Sequence, residues 1–178
     1  MTKKRKLELK DTVTIGVLAG MCAIATSIKI PLGVGAMVHL GSAFMFTVAI
    51  IFGGVYAGLS AAIGSAFFDL LMGFSPYTPW SFLIKGIAGL LAGVIAHGLW
   101  PHIQAESPVA RGRWILRATL GCLAAATWTL GGYIIAWWQV TGSLAVAFSN
   151  MPASLLTSSV GLIVALFLAP RLQKALKR

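Results

Sequence analysis

Residues 111–138 read RGRWILRATLGCLAAATWTLGGYIIAWW, three arginines near the start of a long apolar run that carries no further charge. An α-helix needs about 20 mostly apolar residues to cross the hydrocarbon core of a bilayer. Basic residues collect at the cytoplasmic ends of such helices. This stretch therefore predicts a membrane-spanning helix that begins on the cytoplasmic side.

The composition of the whole chain agrees with a membrane location. Of its 178 residues, 58% are hydrophobic and only 10% are charged, whereas a soluble domain carries roughly 25% charged residues. Too few charged side chains remain to cover a surface that faces water. We expect a single membrane domain over residues 1–178.

Five more apolar spans can be placed around the first. Pro31 with Gly33 and Gly35, the Gly53–Gly54 pair, and the loop at 74–79 separate them, because proline and glycine interrupt helices. The sequence predicts an all-α integral membrane protein, a bundle of six transmembrane helices at about 11–28, 39–52, 54–73, 80–99, 115–138 and 152–168.

The positions of the basic residues set the expected orientation. Twelve of the fourteen lie in three clusters, at residues 3–10, 111–117 and 171–178. With a cytoplasmic N-terminus and six crossings, all three clusters face the cytoplasm, as does the C-terminus. The same placement argues against a nucleic-acid partner despite the net charge of +10.

Two ionisable residues, Asp69 and Lys85, lie inside predicted spans that a short loop connects. A lone charge in a membrane is costly, so we expect either a salt bridge between them or the polar end of a ligand pocket. His39, Tyr133 and Asn150 also fall in the predicted outer half, while the inner half is largely aliphatic. A channel would be polar along its full depth, so the pattern favours a pocket open to the outside.

The sequence lacks the motifs that are typical of several classes of enzyme and nucleotide-binding protein. There is no nucleotide-binding G-x-x-x-x-G-K-[ST] loop, no H-E-x-x-H or G-x-S-x-G motif, and no paired cysteines. Cys22 and Cys122 are expected to be packing residues, with no metal or cofactor. A membrane enzyme that uses Asp69 or His39 as acid or base is the least favoured reading, and energy from ATP would have to come from another chain.

Three G-x-x-x-G patterns occur, at Gly16/Gly20, Gly54/Gly58 and Gly89/Gly93. Such pairs allow two helices to approach closely. We expect all three to serve packing within this chain.

Four blocks resemble the substrate-binding S components of energy-coupling factor (ECF) vitamin transporters. They are VHLGSAF at 38–44, FGGVYAG at 52–58, GSAFFDLLMGF at 64–74 and PWSFLIKG at 79–86, within a match that covers roughly residues 11–97. The resemblance implies a multi-pass protein of a prokaryotic cell membrane that captures a vitamin from outside. It also implies partners, a membrane coupling subunit (T component) and two cytoplasmic ATPase subunits.

The resemblance further assigns residues to roles. Ala19 and Ala23 match an A-x-x-x-A pattern that packs on the coupling subunit, and the loop at about 30–38 would cover the pocket. The blocks are most similar to the group with hydroxymethylpyrimidine and vitamin B6 members, sometimes called riboflavin-type. The predicted substrate-binding residues are His39, Asp69, Trp80, Lys85, Tyr133, Trp137, Gln139 and Asn150.

The substrate suggested by this group is hydroxymethylpyrimidine or pyridoxine. Trp80, Tyr133 or Trp137 would stack on its ring, and the polar residues would bind ring nitrogens and hydroxyl groups. Alternatives are an S component for riboflavin, pantothenate or another vitamin, and a self-sufficient carrier or channel.

Overall fold

The computed structural model describes residues 7–31, 37–100 and 108–176. It contains seven helices, two short strands and a 3-10 turn at Ser75–Tyr77. The helices are α1 Leu9–Ser27, α2 Gly41–Phe52, α3 Gly54–Leu71, α4 Thr78–Ala96, α5 Pro108–Thr141, α6 Leu144–Ser149 and α7 Met151–Leu176, and the strands are β1 Lys29–Pro31 and β2 Met37–His39.

The prediction of a mostly helical membrane bundle is confirmed. Among the described residues, five helical segments are long and apolar enough to cross a membrane: Leu9–Ser27, Gly54–Leu71, Ser75–Ala96, Gly112–Thr141 and Leu144–Ala175. The remaining predicted span, at 39–52, corresponds to α2, which has 12 residues. At 1.5 Å per residue this helix is about 18 Å long. It is shorter than the hydrocarbon core of about 30 Å.

The prediction of an all-α chain is wrong between α1 and α2. There β1 and β2 pair in an antiparallel hairpin in which Lys29 lies opposite His39. The helix ends hold the hairpin closed, because Leu40 N–H donates to the Ile28 carbonyl at 3.2 Å. The proposed loop over the pocket falls in this region, and its centre at 32–36 lies outside the described residues.

Two predicted helix boundaries need correction. Helix α5 begins at Pro108 and not near 115, and α7 continues through Pro170 to Leu176 and not only to 168. Arg, Lys, Gln, Leu and Ala are good helix formers, so a helix can continue past its apolar stretch. The search for apolar spans therefore found the membrane-compatible part and missed the polar extensions.

Apart from the short α6, consecutive helices run in opposite directions between two ends of the bundle. At one end, the Tyr56 hydroxyl of α3 donates to the Asp11 carboxylate of α1, and Gly54 N–H donates to the Gly98 carbonyl at 2.8 Å. We call this the closed end. The other end holds the hairpin and the cavity described below. Between the two ends lies an apolar core that includes the fully buried Met45, Phe46 and Ile50.

Small residues bring α3 and α4 into backbone contact. A Cβ atom on Gly89 would lie 2.5 Å from the Ala57 carbonyl oxygen, and one on Gly93 would overlap the backbone of Gly54. The prediction of packing within the chain is confirmed for these two patterns. It is wrong for Gly16/Gly20, where an added Cβ would meet no atom within 4 Å.

Helix α1 packs on α3 through the two alanines that were expected to contact a partner. Ala19 is 4% exposed and Ala23 is 6% exposed. A Cβ on Gly64 of α3 would lie 2.5 Å from the Ala19 carbonyl oxygen, so the absent side chain at Gly64 lets α1 approach. In this conformation Ala19 and Ala23 belong to the interior of the chain, and their contact with a coupling subunit stays a prediction.

Candidate functional site

A cavity of about 360 Å³ lies at the end of the bundle opposite the closed end. Its walls come from the C-terminal ends of α1, α3 and α5, the N-terminal ends of α2, α4 and α7, and the hairpin. The lining mixes hydroxyl, amide and charged groups with aromatic rings: Thr26, His39, Ser42, Ser65, Phe68, Asp69, Phe74, Tyr77, Ser81, Lys85, Thr129, Tyr133, Trp137, Val146, Asn150, Ala153, Ser154, Thr157 and Ser158.

Six of the eight predicted substrate-binding residues line this cavity: His39, Asp69, Lys85, Tyr133, Trp137 and Asn150. Trp80 and Gln139 do not. The reason is helical spacing, since side chains four apart share a helix face and those one or two apart do not. Ser81 and Lys85 mark the cavity face of α4, so Trp80 points elsewhere, and Gln139 is exposed.

The sequence reading missed other lining residues, including Thr26, Phe68, Phe74 and Thr129. One signal was present for Thr129, because it lies four residues before Tyr133 and eight before Trp137 on one helix face. No comparable signal marks Phe74, which follows the end of α3 and lines the cavity through the turn into α4.

Lys85 is an almost fully buried cation in the cavity wall, with 6% of its surface exposed. Its Nζ donates to Ser42 Oγ at 3.3 Å and lies 5.5 Å from the centre of the Tyr133 ring. A ring face attracts a cation, and more strongly where water is excluded. These contacts fix the ammonium group without supplying an anion.

Asp69 lies in the same cavity and is 8% exposed. Its Oδ2 is buried and has no hydrogen-bond partner among the described residues, and the same is true of Thr129 Oγ1. Buried polar atoms are nearly always paired, and leaving one unpaired costs about 1–3 kcal/mol. Two such atoms in one cavity indicate positions that a ligand or water fills.

The described side chains show no ion pair between Asp69 and Lys85, although both line the cavity. Of the two readings left open by the sequence, the direct salt bridge therefore does not form in this conformation. The two opposite charges remain available to a third group.

His39 is partly buried and ends β2, two residues before α2 begins. The backbone N–H of Gly41 donates to His39 Nδ1 at 3.1 Å, so the ring proton of the neutral imidazole is on Nε2. Burial, together with the positive charges of Lys85 and Lys29, lowers the pKa of His39 from 6.5 to about 3. At neutral pH His39 therefore offers one N–H donor and no charge.

Aromatic rings form one wall of the cavity. The Tyr133 and Trp137 rings lie 5.5 Å apart at an interplanar angle of 30°, and the Tyr133 hydroxyl shares a 3.1 Å hydrogen bond with Ser81 Oγ. On the other side, Lys29 Nζ lies 5.5 Å from the centre of the Phe68 ring. Such a wall accepts the flat face of a heterocycle.

Helix α7 contributes a polar stripe at the cavity. Asn150 Nδ2 donates to the Val146 carbonyl at 3.0 Å, which orients the amide, and Ser154, Thr157 and Ser158 follow on the same face. Across the described parts of the chain, no three His, Cys, Asp or Glu side chains come together as a metal site. Cys22 and Cys122 are buried and free.

Comparisons with known proteins agree with this architecture. A family profile described as "ECF-type riboflavin transporter, S component" matches residues 6–177. A solved structure described as the S component of a bacterial ECF transporter superposes with a TM-score of 0.63 at 19% sequence identity, over 95% of this chain and 98% of that one. At that identity the superposition establishes a shared fold. No curated protein sequence matches the chain.

Proposed function

We propose, from the premise that this chain belongs to the family of ECF-type riboflavin transporter S components, that it is the substrate-capture subunit of an ECF-type vitamin importer. The observation that carries the proposal is the cavity at one end of the bundle, where Asp69 Oδ2 and Thr129 Oγ1 are buried and have no hydrogen-bond partner among the described residues. A capture subunit needs such a ready-made polar pocket.

The closed end supports binding from one side of the membrane. Tyr56 and Asp11 join α1 to α3 there, and Met45, Phe46 and Ile50 fill the core between that end and the cavity. A polar path across the bundle would be expected of a self-sufficient channel, and the filled core disfavours one. We place the cavity at the outer face, with six crossings and both termini in the cytoplasm.

The proposed substrate is a small heterocyclic vitamin or precursor, hydroxymethylpyrimidine or pyridoxine. A cavity of about 360 Å³ lies at the small end of the usual range for ligand pockets, roughly 300–1,000 Å³. The Tyr133–Trp137 wall suits one flat ring, and the hydroxyl groups around it suit a ring that carries several polar substituents. Riboflavin is the alternative that the family description names.

The energy for uptake would come from other chains. The sequence has no nucleotide-binding loop, and we propose a membrane coupling subunit (T component) and two ATPase subunits as partners in a prokaryotic cell membrane. This arrangement makes the chain a binding subunit and not an enzyme.

Calorimetry on the purified chain tests the proposal. We expect one of hydroxymethylpyrimidine, pyridoxine, riboflavin and pantothenate to bind with one-to-one stoichiometry and a dissociation constant between about 1 nM and 1 μM, which corresponds to roughly 8–12 kcal/mol. Ala153→Trp, which places an indole in the cavity, should abolish binding.

The matched control is Leu155→Trp on the same helix, because Leu155 is 51% exposed and points away from the cavity. It should bind like the wild type. If the folded protein bound none of the four compounds, the proposal would fail. Ion-driven uptake by liposomes that contain this chain alone would instead identify a self-sufficient carrier.

A further inference from the structure

The cavity holds two opposite charges that form no direct ion pair among the described residues. Lys85 and Asp69 are both more than nine-tenths buried, both line the cavity, and the described side chains make no ion pair between them. Taking a charge out of water costs several kcal/mol unless a counter-charge or hydrogen bonds compensate. Among the described residues, neither group therefore has an oppositely charged partner at ion-pair distance.

The local contacts of each group show what kind of partner is missing. Lys85 has a hydroxyl, Ser42 Oγ, and an aromatic face, Tyr133, but no anion. An ammonium has three N–H donors, so it can still receive an anionic oxygen. Asp69 Oδ2 is a buried acceptor to which no described residue donates, so it can accept a hydrogen bond from a protonated ring nitrogen or an N–H group.

His39 adds a neutral donor to this arrangement. Its Nδ1 is occupied by Gly41 N–H, so the proton on Nε2 is available as a donor and the ring brings no charge of its own. The formal charge contributed by the side chains that line the cavity is one positive and one negative. A ligand with one charge of each sign would satisfy both without leaving a net charge buried.

From this arrangement, and on the basis of the proposed function, we infer that the ligand is a zwitterionic heterocycle of the hydroxypyridine class, whose ring oxygen anion pairs with Lys85 and whose ring N–H⁺ donates to Asp69. In neutral water a 3-hydroxypyridine can transfer its phenolic proton to the ring nitrogen, and the resulting zwitterion carries both charges on one flat ring. That ring fits against the Tyr133–Trp137 wall.

Other vitamin classes satisfy only part of the site. A neutral fused ring, such as the ring system of riboflavin, can accept from Lys85 but leaves both formal charges without a counter-charge. A simple carboxylate, such as pantothenate, neutralises Lys85 and would be repelled by Asp69. The site therefore selects for the pair of charges and not merely for a ring of suitable size.

The experiment measures the coupling between the Lys85 side chain and the ring hydroxyl group of the ligand. Calorimetry compares pyridoxine with 3-deoxypyridoxine, in which hydrogen replaces the ring hydroxyl and the zwitterion is lost. A charge-assisted hydrogen bond changes affinity by about 10- to 100-fold. We expect the wild type to prefer pyridoxine by about that factor, and Lys85→Met to lower this preference to less than about 3-fold.

Asp69→Asn keeps the shape of the side chain and should weaken pyridoxine by a similar factor. We expect the double variant, Lys85→Met with Asp69→Asn, to bind pyridoxine more weakly than either single variant. Wild-type affinity in the double variant would instead mean that Lys85 and Asp69 act on each other and not on the ligand. Lys174→Met removes an exposed charge on α7 and should leave binding unchanged. Thermal unfolding of each unliganded variant checks folding, and loss of a buried charge should not lower its midpoint.

Three outcomes separate this inference from the proposed function. Equal binding of the two compounds, or a full preference retained in Lys85→Met, would overturn the zwitterion and leave the capture role intact. Tight binding of riboflavin or of hydroxymethylpyrimidine, with none of pyridoxine, would do the same. Absence of binding by every compound in the vitamin panel would overturn both.

Discussion

His39 is the side chain whose ionisation the cavity controls most clearly. In the folded protein its pKa is lowered from 6.5 to about 3 by burial and by Lys85 and Lys29. Between these values the unfolded chain binds a proton at His39 and the folded chain does not. The free energy of unfolding should therefore fall as the pH is lowered through this window, by at most about 1.4 kcal/mol per pH unit from this group.

Thermal unfolding of the purified protein across this pH range measures the effect, with His39→Gln as the comparison. Glutamine cannot titrate, so the pH dependence of the variant should be shallower, and the difference between the two curves isolates His39 from the other histidines. Parallel curves would mean that His39 titrates alike in both states. His39→Asn can keep an acceptor for Gly41 N–H and separates that contact from the titration.

The site could be predicted from sequence where a residue is unusual for its surroundings. Asp69 and Lys85 stood out because charges are rare in apolar spans, and both line the cavity. Thr26 and Phe68 are ordinary in a membrane helix, and only the orientation of each helix brings them to the cavity. Trp80 was chosen for its ring alone, and its position one residue before Ser81 turns it away.

At the scale of single helices, α1 carries two stripes of small residues on neighbouring faces. Ala19 and Ala23 are buried against α3, whereas Gly16 and Gly20 are exposed among Val13, Val17, Met21 and Ile24. The sequence could predict that α1 has a face suited to close helix contact. It could not decide which stripe is used within the chain, because that depends on Gly64 of α3 lying opposite.

We therefore expect the outward stripe of α1 to contact the coupling subunit. Gly20→Trp should prevent co-purification with that subunit and leave substrate affinity within about 2-fold, since a Cβ there meets no atom of this chain within 4 Å. Ala19→Trp should instead lower the thermal midpoint of the isolated chain, because overpacking a tight contact costs about 1–3 kcal/mol. Normal assembly of Gly20→Trp would contradict the assignment.

Helix ends and the hairpin mark the limit of what apolar patterning predicts. The centres of the long helices were placed correctly because about 20 apolar residues leave few alternatives. The polar extension of α7 beyond 168 and the strands at 29–31 and 37–39 depend on helix propensity in water and on backbone pairing. Neither produces a hydropathy signal.

At the scale of the whole molecule, the cavity itself argues for six crossings. Its lining comes from the C-terminal end of α1 (Thr26), the N-terminal end of α2 (Ser42), the C-terminal end of α3 (Asp69), the N-terminal end of α4 (Ser81) and the C-terminal end of α5 (Tyr133). Each of these five helices, and likewise α7 with Ser154 near its N-terminal end, therefore has one end at the cavity and carries the chain once across the bundle, α2 included. A helix of 12 residues can complete such a pass if the residues around it supply the missing length.

Cysteine labelling with a membrane-impermeant maleimide tests this topology. Lys10→Cys, Arg113→Cys and Arg171→Cys should react only from the cytoplasmic side, and Ser75→Cys and Thr141→Cys only from outside, since all five positions are exposed and basic clusters stay inside. The wild type serves as the blank, because both native cysteines are buried.

If α2 failed to cross, Lys10→Cys and Arg113→Cys would react from opposite sides, because one missing pass inverts everything that follows it. Reaction of all three basic positions from outside would keep the six crossings and reverse the orientation, which would place the cavity on the cytoplasmic side and remove the basis for capture from outside.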